Sequence, residues 1–179
     1  ESVNSIPQEY LYSRIWWHPH YSLKEYQSFQ DAKIYVLNVP EYTYEMKLSF
    51  HYQGIYLSSH KPCNNSINIL VQHGSPAIPY QNEIQADGLL NYNNSDHYET
   101  SVSLSHPQNR NISSPLPGKW YVTAFLPYDE KVKKIKEKGL SKTDDKCLSA
   151  LSIVQVLISP LKPPVVLAKG QPWSSTANP

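Results

Sequence analysis

Apolar and polar residues alternate with a period of two along much of the chain, the spacing of strands with one packed face and one wet face. In "YEMKLSFHY" the residues Tyr44, Met46, Leu48, Phe50 and Tyr52 fall on one side and Glu45, Lys47, Ser49 and His51 on the other. The same spacing in "YETSVSLS" turns Tyr98, Thr100, Val102 and Leu104 inward. Antiparallel sheets with a solvated face produce this pattern. Four further segments are apolar on both sides: 33–39, 67–72, 119–126 and 151–158. They are short, rich in β-branched and aromatic residues, and bounded by Pro, Gly or Asn, so they predict central or doubly covered strands.

Turn clusters separate these segments: "SSHKPCNN", "NYNNSDH" and "PQNRNISSPLPG". Six or more short strands joined by such turns predict an all-β fold, an antiparallel β-sandwich of jelly-roll type. Residues 128–146, "YDEKVKKIKEKGLSKTDDK", fit either a short exposed helix ending at Gly139 or a polar, lysine-protected edge strand through Ile135. The β flanks favour the strand. Residues 1–20 are aromatic and carry prolines, and residues 161–179 are proline-rich without periodicity. The expected organisation is therefore an N-terminal arm (1–20), a sandwich (21–160), and a C-terminal linker or packing arm (161–179).

Composition supports a folded β domain: 40% hydrophobic residues, 14 Tyr and 4 Trp, with 15 Pro to interrupt elements. A net charge of +1 creates no field for a polyphosphate, which argues against nucleic acid as a partner. There is no apolar run near the length of a bilayer span. Without a starting Met or a leader-like segment, the chain reads as a processed or excised piece. The lysines between 131 and 146 form the only basic cluster, and Asp129, Glu130, Glu137, Asp144 and Asp145 offset most of it, so a solvated hairpin is expected there.

Two cysteines and three Asn-x-Ser sequons, at Asn64, Asn93 and Asn111, point to the secretory route and an extracellular or cell-surface location. A disulfide between Cys63 and Cys147 is expected, the alternative being two unrelated buried thiols. Such a bridge closes about 84 residues and contributes about 3 to 5 kcal/mol through the unfolded chain.

Candidate chemistry is sparse. His18 and His20 in "WWHPHY" offer two imidazoles, but structural zinc takes four ligands and no third stands nearby, so no metal or other cofactor is expected. The segment reads as an aromatic cluster closing one end of the sandwich. If exposed, Trp16, Trp17 and Tyr21 are the ligand-contact aromatics, suited to stacking on a sugar ring. His73, Gly74 and Ser75 lack the second glycine and the following helix of a nucleophile elbow, and a strand-ending turn accounts for them. No catalytic residue is assigned. "NISSPLPGKWYVTAFLP" reads as scaffold, with Pro117-Gly118 turning the chain and Trp120, Val122, Ala124 and Leu126 facing opposite to Tyr121, Thr123 and Phe125.

The order of segments carries a resemblance. "VPE", a hydrophobic strand, a cysteine, "ILVQHGSPAIP", "SVSLSHP", "SPLPGKWYVTAFLP", "GLS", a second cysteine and "SIVQVLI" follow one another between residues 21 and 160. This resembles the extracellular region of the transmembrane protein 8 family, to which post-GPI-attachment-to-proteins factor 6 belongs. Pro117, Gly118, Trp120, Tyr121, Val122, Ala124, Leu126 and Pro127 match its most specific motif, while Ala77 stands where a second proline is usual. The resemblance implies a non-catalytic ectodomain of a multipass membrane protein that processes GPI anchors by phospholipase A2 chemistry. The catalytic residues would lie in a membrane domain that this chain does not contain. Its implied partner is a GPI-anchored client, and the alternative is a secreted carbohydrate-binding or cell-adhesion module.

Overall fold

The computed structural model describes residues 11–79, 97–127 and 146–162. Their strands are β1 (Leu11–Leu23), β2 (Lys33–Val39), β3 (Glu45–Tyr56), β4 (Ile67–His73), β5 (His97–Val102), β6 (Gln108–Ser113), β7 (Gly118–Phe125) and β8 (Cys147–Pro160). They form two sheets, β1-β8-β3-β6 and β2-β7-β4-β5, in which every neighbouring pair is antiparallel. β1 pairs with β8, β2 with β7, β3 with β6 and β4 with β5, as though one long hairpin had been rolled on itself. The contacts of β8 with β3 and of β7 with β4 close the roll. This is the jelly-roll arrangement that the alternating pattern predicts.

The inward-facing residues of both sheets meet in one core. Met46, Leu48 and Phe50 of β3 and Leu151, Ile153 and Leu157 of β8 pack against Leu37, Ile69, Val71, Trp120 and Val122 of the other sheet. Trp120 is the largest fully buried side chain, and its indole N–H donates to the Leu116 carbonyl at 2.8 Å, so no polar atom of the ring is stranded. Two polar groups cross the core. The Tyr35 hydroxyl donates to the Leu151 carbonyl at 2.6 Å, and Gln155 Nε2 donates to the Asn38 carbonyl at 3.3 Å. Burial pushes the Tyr35 hydroxyl well above the usual tyrosine range, so it remains a donor.

A second, smaller cluster covers the outer face of the β2-β7-β4-β5 sheet. Tyr26, from the connection between β1 and β2, packs with Leu70, Ala77 and Phe125. The Tyr26 hydroxyl donates to the Pro79 carbonyl and the Thr123 hydroxyl to the Ala77 carbonyl, at 3.3 and 2.9 Å. Asp31 braces that connection by accepting from the Gln27 and Ser28 backbone N–H groups, which hold its carboxyl below the usual range. β4 and β7 are thus apolar on both sides because both sides are covered.

Cys63 and Cys147 form a disulfide. It joins the connection between β3 and β4 to the first residue of β8, and a tyrosine organises its surroundings. The Tyr52 hydroxyl donates to the Cys63 carbonyl at 3.0 Å and accepts from the Asn65 backbone N–H at 2.9 Å, while Asn65 Nδ2 donates to Ser149 Oγ at 3.1 Å. Gly54 leaves room for this arrangement, since a Cβ there would collide with Tyr52 Oη and the Cys63 carbonyl.

Three sequence expectations need correction. Residues 11–20 are not an irregular arm but most of β1, which escapes the alternation pattern because exposed apolar residues stand on both of its faces. Its Pro19 lies where the register shifts between His18 and Tyr21, a position that needs no ladder N–H. Residues 108–113, read as part of a turn, form β6, a polar edge strand in which Ile112 alone is apolar. Leu104 lies in an exposed turn after β5 rather than facing inward. β8 ends at Pro160, at the expected start of the C-terminal segment; residues 1–10, 128–145 and 163–179 lie outside the described residues.

The bridge closes a separation of 84 residues. Replacing both cysteines by serine is expected to lower unfolding stability by about 3 to 5 kcal/mol, as read by denaturant unfolding of the purified chain. A loss under about 1 kcal/mol would mean that the Tyr52 contacts and the core hold this corner without the covalent link.

Candidate functional site

Among the large apolar side chains that folding leaves exposed, β1 carries both exposed tryptophans. Ile15, Trp16, Trp17 and Tyr21 are 69%, 55%, 70% and 48% exposed. Cross-strand partners share a face, so the register with β8 fixes where each points. Ile15 and Trp17 lie opposite Val156 and Val154 on the outer face, and Trp16 lies opposite the buried Gln155 on the inner side. The two tryptophans therefore do not form one platform. Neither seals an end of the sandwich, as the sequence reading expected, because both stand at an edge with solvent beside them.

The irregularity after His18 changes which side the following residues present. An extra residue between His18 and Tyr21 brings Tyr21 opposite the buried Leu151, so it points inward like Trp16 and His18. On that side Tyr21 packs against Tyr35 with ring centroids 5.8 Å apart, and His18 meets the same ring edge-on at 6.3 Å. Lys33 Nζ sits 5.8 Å from the centre of the Tyr21 ring, and the Arg14 guanidinium lies 5.3 Å from that of Tyr12. His18 Nε2 is enclosed there without a hydrogen-bond partner among the described residues. The result is a rim between the β1 and β2 edges, built of aromatic faces with two cations beside them. Its chemistry suits stacking and cation–π contact.

The sequons lie elsewhere. Asn64 is exposed next to Cys63, and its Oδ1 accepts from the Leu104 backbone N–H at 3.0 Å in the turn after β5. Asn111 is exposed on β6 opposite Lys47, on the outer face. β5 and β6 are the far edges of the two sheets and lie beside each other. Both described sequons thus fall on the side away from β1; Asn93 lies outside the described residues.

His73 and Ser75 are not brought together as a catalytic pair. His73 Nε2 lies 2.8 Å from the Pro117 carbonyl and its ring packs edge-on to Trp120, while Ser75 Oγ accepts from Gln72 Nε2. Among the described residues no group of three or more His, Cys, Asp or Glu is placed to hold a metal ion, and no helix is long and apolar enough to cross a membrane. Sequence reasoning passed over Ile15, Lys33 and Tyr35, which complete the edge. Their signal was only the unusual apolar content of a segment without alternation.

The fold makes this chain a disulfide-linked antiparallel jelly-roll domain with one aromatic edge. In comparisons with known proteins, no family model and no curated protein matches it.

Because the aromatic edge takes little part in the core, Trp16→Ala and Trp17→Ala are expected to shift stability by no more than about 0.5 kcal/mol. Trp120→Ala should cost about 3 to 5 kcal/mol. Thermal melts of the three variants check this, and acrylamide quenching should fall in both edge variants and not in Trp120→Ala. A large loss of stability in either edge variant would move these residues from recognition to packing.

Proposed function

We propose that this chain is a non-catalytic extracellular recognition or scaffold domain of a membrane protein resembling the transmembrane protein 8 family, and that it positions GPI-anchored clients. The observation that carries the reading is the run of half-exposed aromatic side chains along β1, held on a rigid sandwich. Surface of this kind costs solubility and adds little to the core, which is the usual mark of a contact site. The disulfide and the exposed Asn64 and Asn111 fit an oxidising, glycosylating compartment. No bond-breaking role is assigned to any residue of this segment.

A second reading, a secreted carbohydrate-binding module, draws on a specific feature of the rim. Trp16 and Tyr21 both face the inter-sheet side and are exposed enough for a sugar ring to stack on them. The two readings separate experimentally. The secreted, glycosylated domain should capture GPI-anchored proteins from detergent-solubilised cell surfaces, and Trp16→Ala and Tyr21→Ala should each weaken capture by about tenfold or more. Equal capture of clients after enzymatic removal of their anchors would argue against anchor-linked recognition. Binding of the domain to a free-glycan array, lost in the same variants, would establish the second reading in its place.

A further inference from the structure

We infer that the free edge of β1 is a self-association surface, on which a second copy of this chain adds its own β1 in antiparallel register to make one continuous sheet across a twofold axis. β1 spans 13 residues and is hydrogen-bonded on one side only among the described residues, by β8. A long edge strand is ordinarily blunted by charge, proline or brevity. Here Pro19 and the irregularity beside it close only the far end, leaving Leu11–His18 as a regular ladder whose one permanently charged side chain is Arg14.

The geometry of the pairing follows from the pleat. For both copies to keep their cores on the same side, outer-facing residues must meet outer-facing residues, so the axis passes through a residue rather than between two. With the axis at Ile15, the two Ile15 side chains meet, Ser13 faces the other copy's Trp17, and Arg14 faces the other copy's Trp16. That last contact is a cation–π pairing of the type Arg14 already makes with Tyr12. The two Arg14 side chains are diagonal neighbours on the inner side, each directly opposite a tryptophan rather than the other arginine.

Area supports a stable pair. Aromatic side chains carry about 150–250 Å² each, so the exposed parts of Trp16 and Trp17 together with Ile15 leave roughly 350–400 Å² of apolar surface per copy. A pair would bury up to about 700–800 Å² from these residues, and the paired main chains add to this toward the roughly 1,200 Å² of a specific interface.

The opposite edge explains why association would stop at two. β6 is short and polar and carries the Asn111 sequon on its outer face, so a glycan there would obstruct strand addition. One open edge and one obstructed edge give a closed dimer, whereas two open edges would give a filament. This closure rests on the glycosylated, extracellular reading proposed above; the β1 pairing does not.

Sedimentation velocity of the secreted, glycosylated chain over a concentration series tests the inference. The parent is expected to dimerise, and Ile15→Lys and Trp17→Lys to weaken dimerisation by about tenfold or more with unchanged thermal melts. Asn111→Gln is expected to add species larger than the dimer. A parent that stays monomeric throughout, or a dimer that survives both lysine variants, overturns the pairing; Asn111→Gln chains that stop at the dimer overturn the role of the glycan. No client enters the measurement, so its failure leaves the recognition reading standing; the pair covers Trp16 and leaves Tyr21 outside the ladder, so a client held through Trp16 would compete with the second copy.

Discussion

An open two-sheet sandwich leaves four strands with one unpaired side, and among the described residues they are β1, β6, β2 and β5. Rolling the chain as nested antiparallel pairs buries the inner faces well, but it cannot close these edges as a barrel would. Two of the four carry identifiable protection. β6 is short and polar, and β5 is short with Arg110 stacked over Tyr98 at 4.9 Å, whereas β2 leaves Ile34 and Val36 exposed. β1 is long, with a tryptophan pair and an isoleucine exposed. Of these edges β1 is the longest and the one that exposes tryptophan, which makes it the strongest candidate for association.

The two faces of the sandwich are treated just as unequally. The outer face of the β2-β7-β4-β5 sheet is roofed by Tyr26, Ala77 and their hydrogen bonds to Pro79 and Thr123. On the other sheet, Val154, Val156 and Ile158 of β8 stand half-buried on the outer face, with Ile15 and Trp17 beside them and no described segment above. β8 therefore has the doubly apolar composition of a covered strand on a face whose cover, among the described residues, is only its neighbours. The disulfide anchors the start of this strand through Cys147, and Tyr52 fixes the other half of the bridge to β3, so the exposed sheet is presented rigidly. Rigidity matters for recognition because the ordering cost is already met on folding.

Where burial is one-sided, the sequence could be read almost residue by residue. Met46, Leu48 and Phe50 face the core as the alternation in β3 requires, and Trp120, Val122 and Ala124 part from Thr123 and Phe125 across β7 as the period of two demands. The Pro117-Gly118 turn was legible because Gly118 adopts a φ of 108°, which other residues resist. β1 and β6 were hidden for one shared reason. Unlike the edge strands β2 and β5, they bury almost no side chain: Ile112 alone of β6 packs on the core and β1 exposes apolar residues on both faces, so the alternation that marks a strand disappears. The candidate site was legible only in its residue types. Its geometry depends on the displaced register after His18, which turns Tyr21 to the side of Trp16 and separates both from Trp17, and no local pattern announces that shift.

The placement of the resemblance bears on what it can carry. Its most specific motif, Pro117 to Pro127, maps onto scaffold: Gly118 serves the turn, Trp120, Val122 and Ala124 fill the main core, and Leu126 closes it beside Leu23. Likeness in such positions follows from the demands of packing and turning, which any jelly roll with this core must meet. Ile15, Trp16 and Trp17 lie upstream of the matching segment, and Tyr21 stands at its first residue. The fold expectation and the contact surface thus rest on separate parts of the chain. On the proposed reading the contact surface lies on β1, in side chains that the fold leaves exposed, so that strand rather than the tryptophan motif is where the proposal has to be measured.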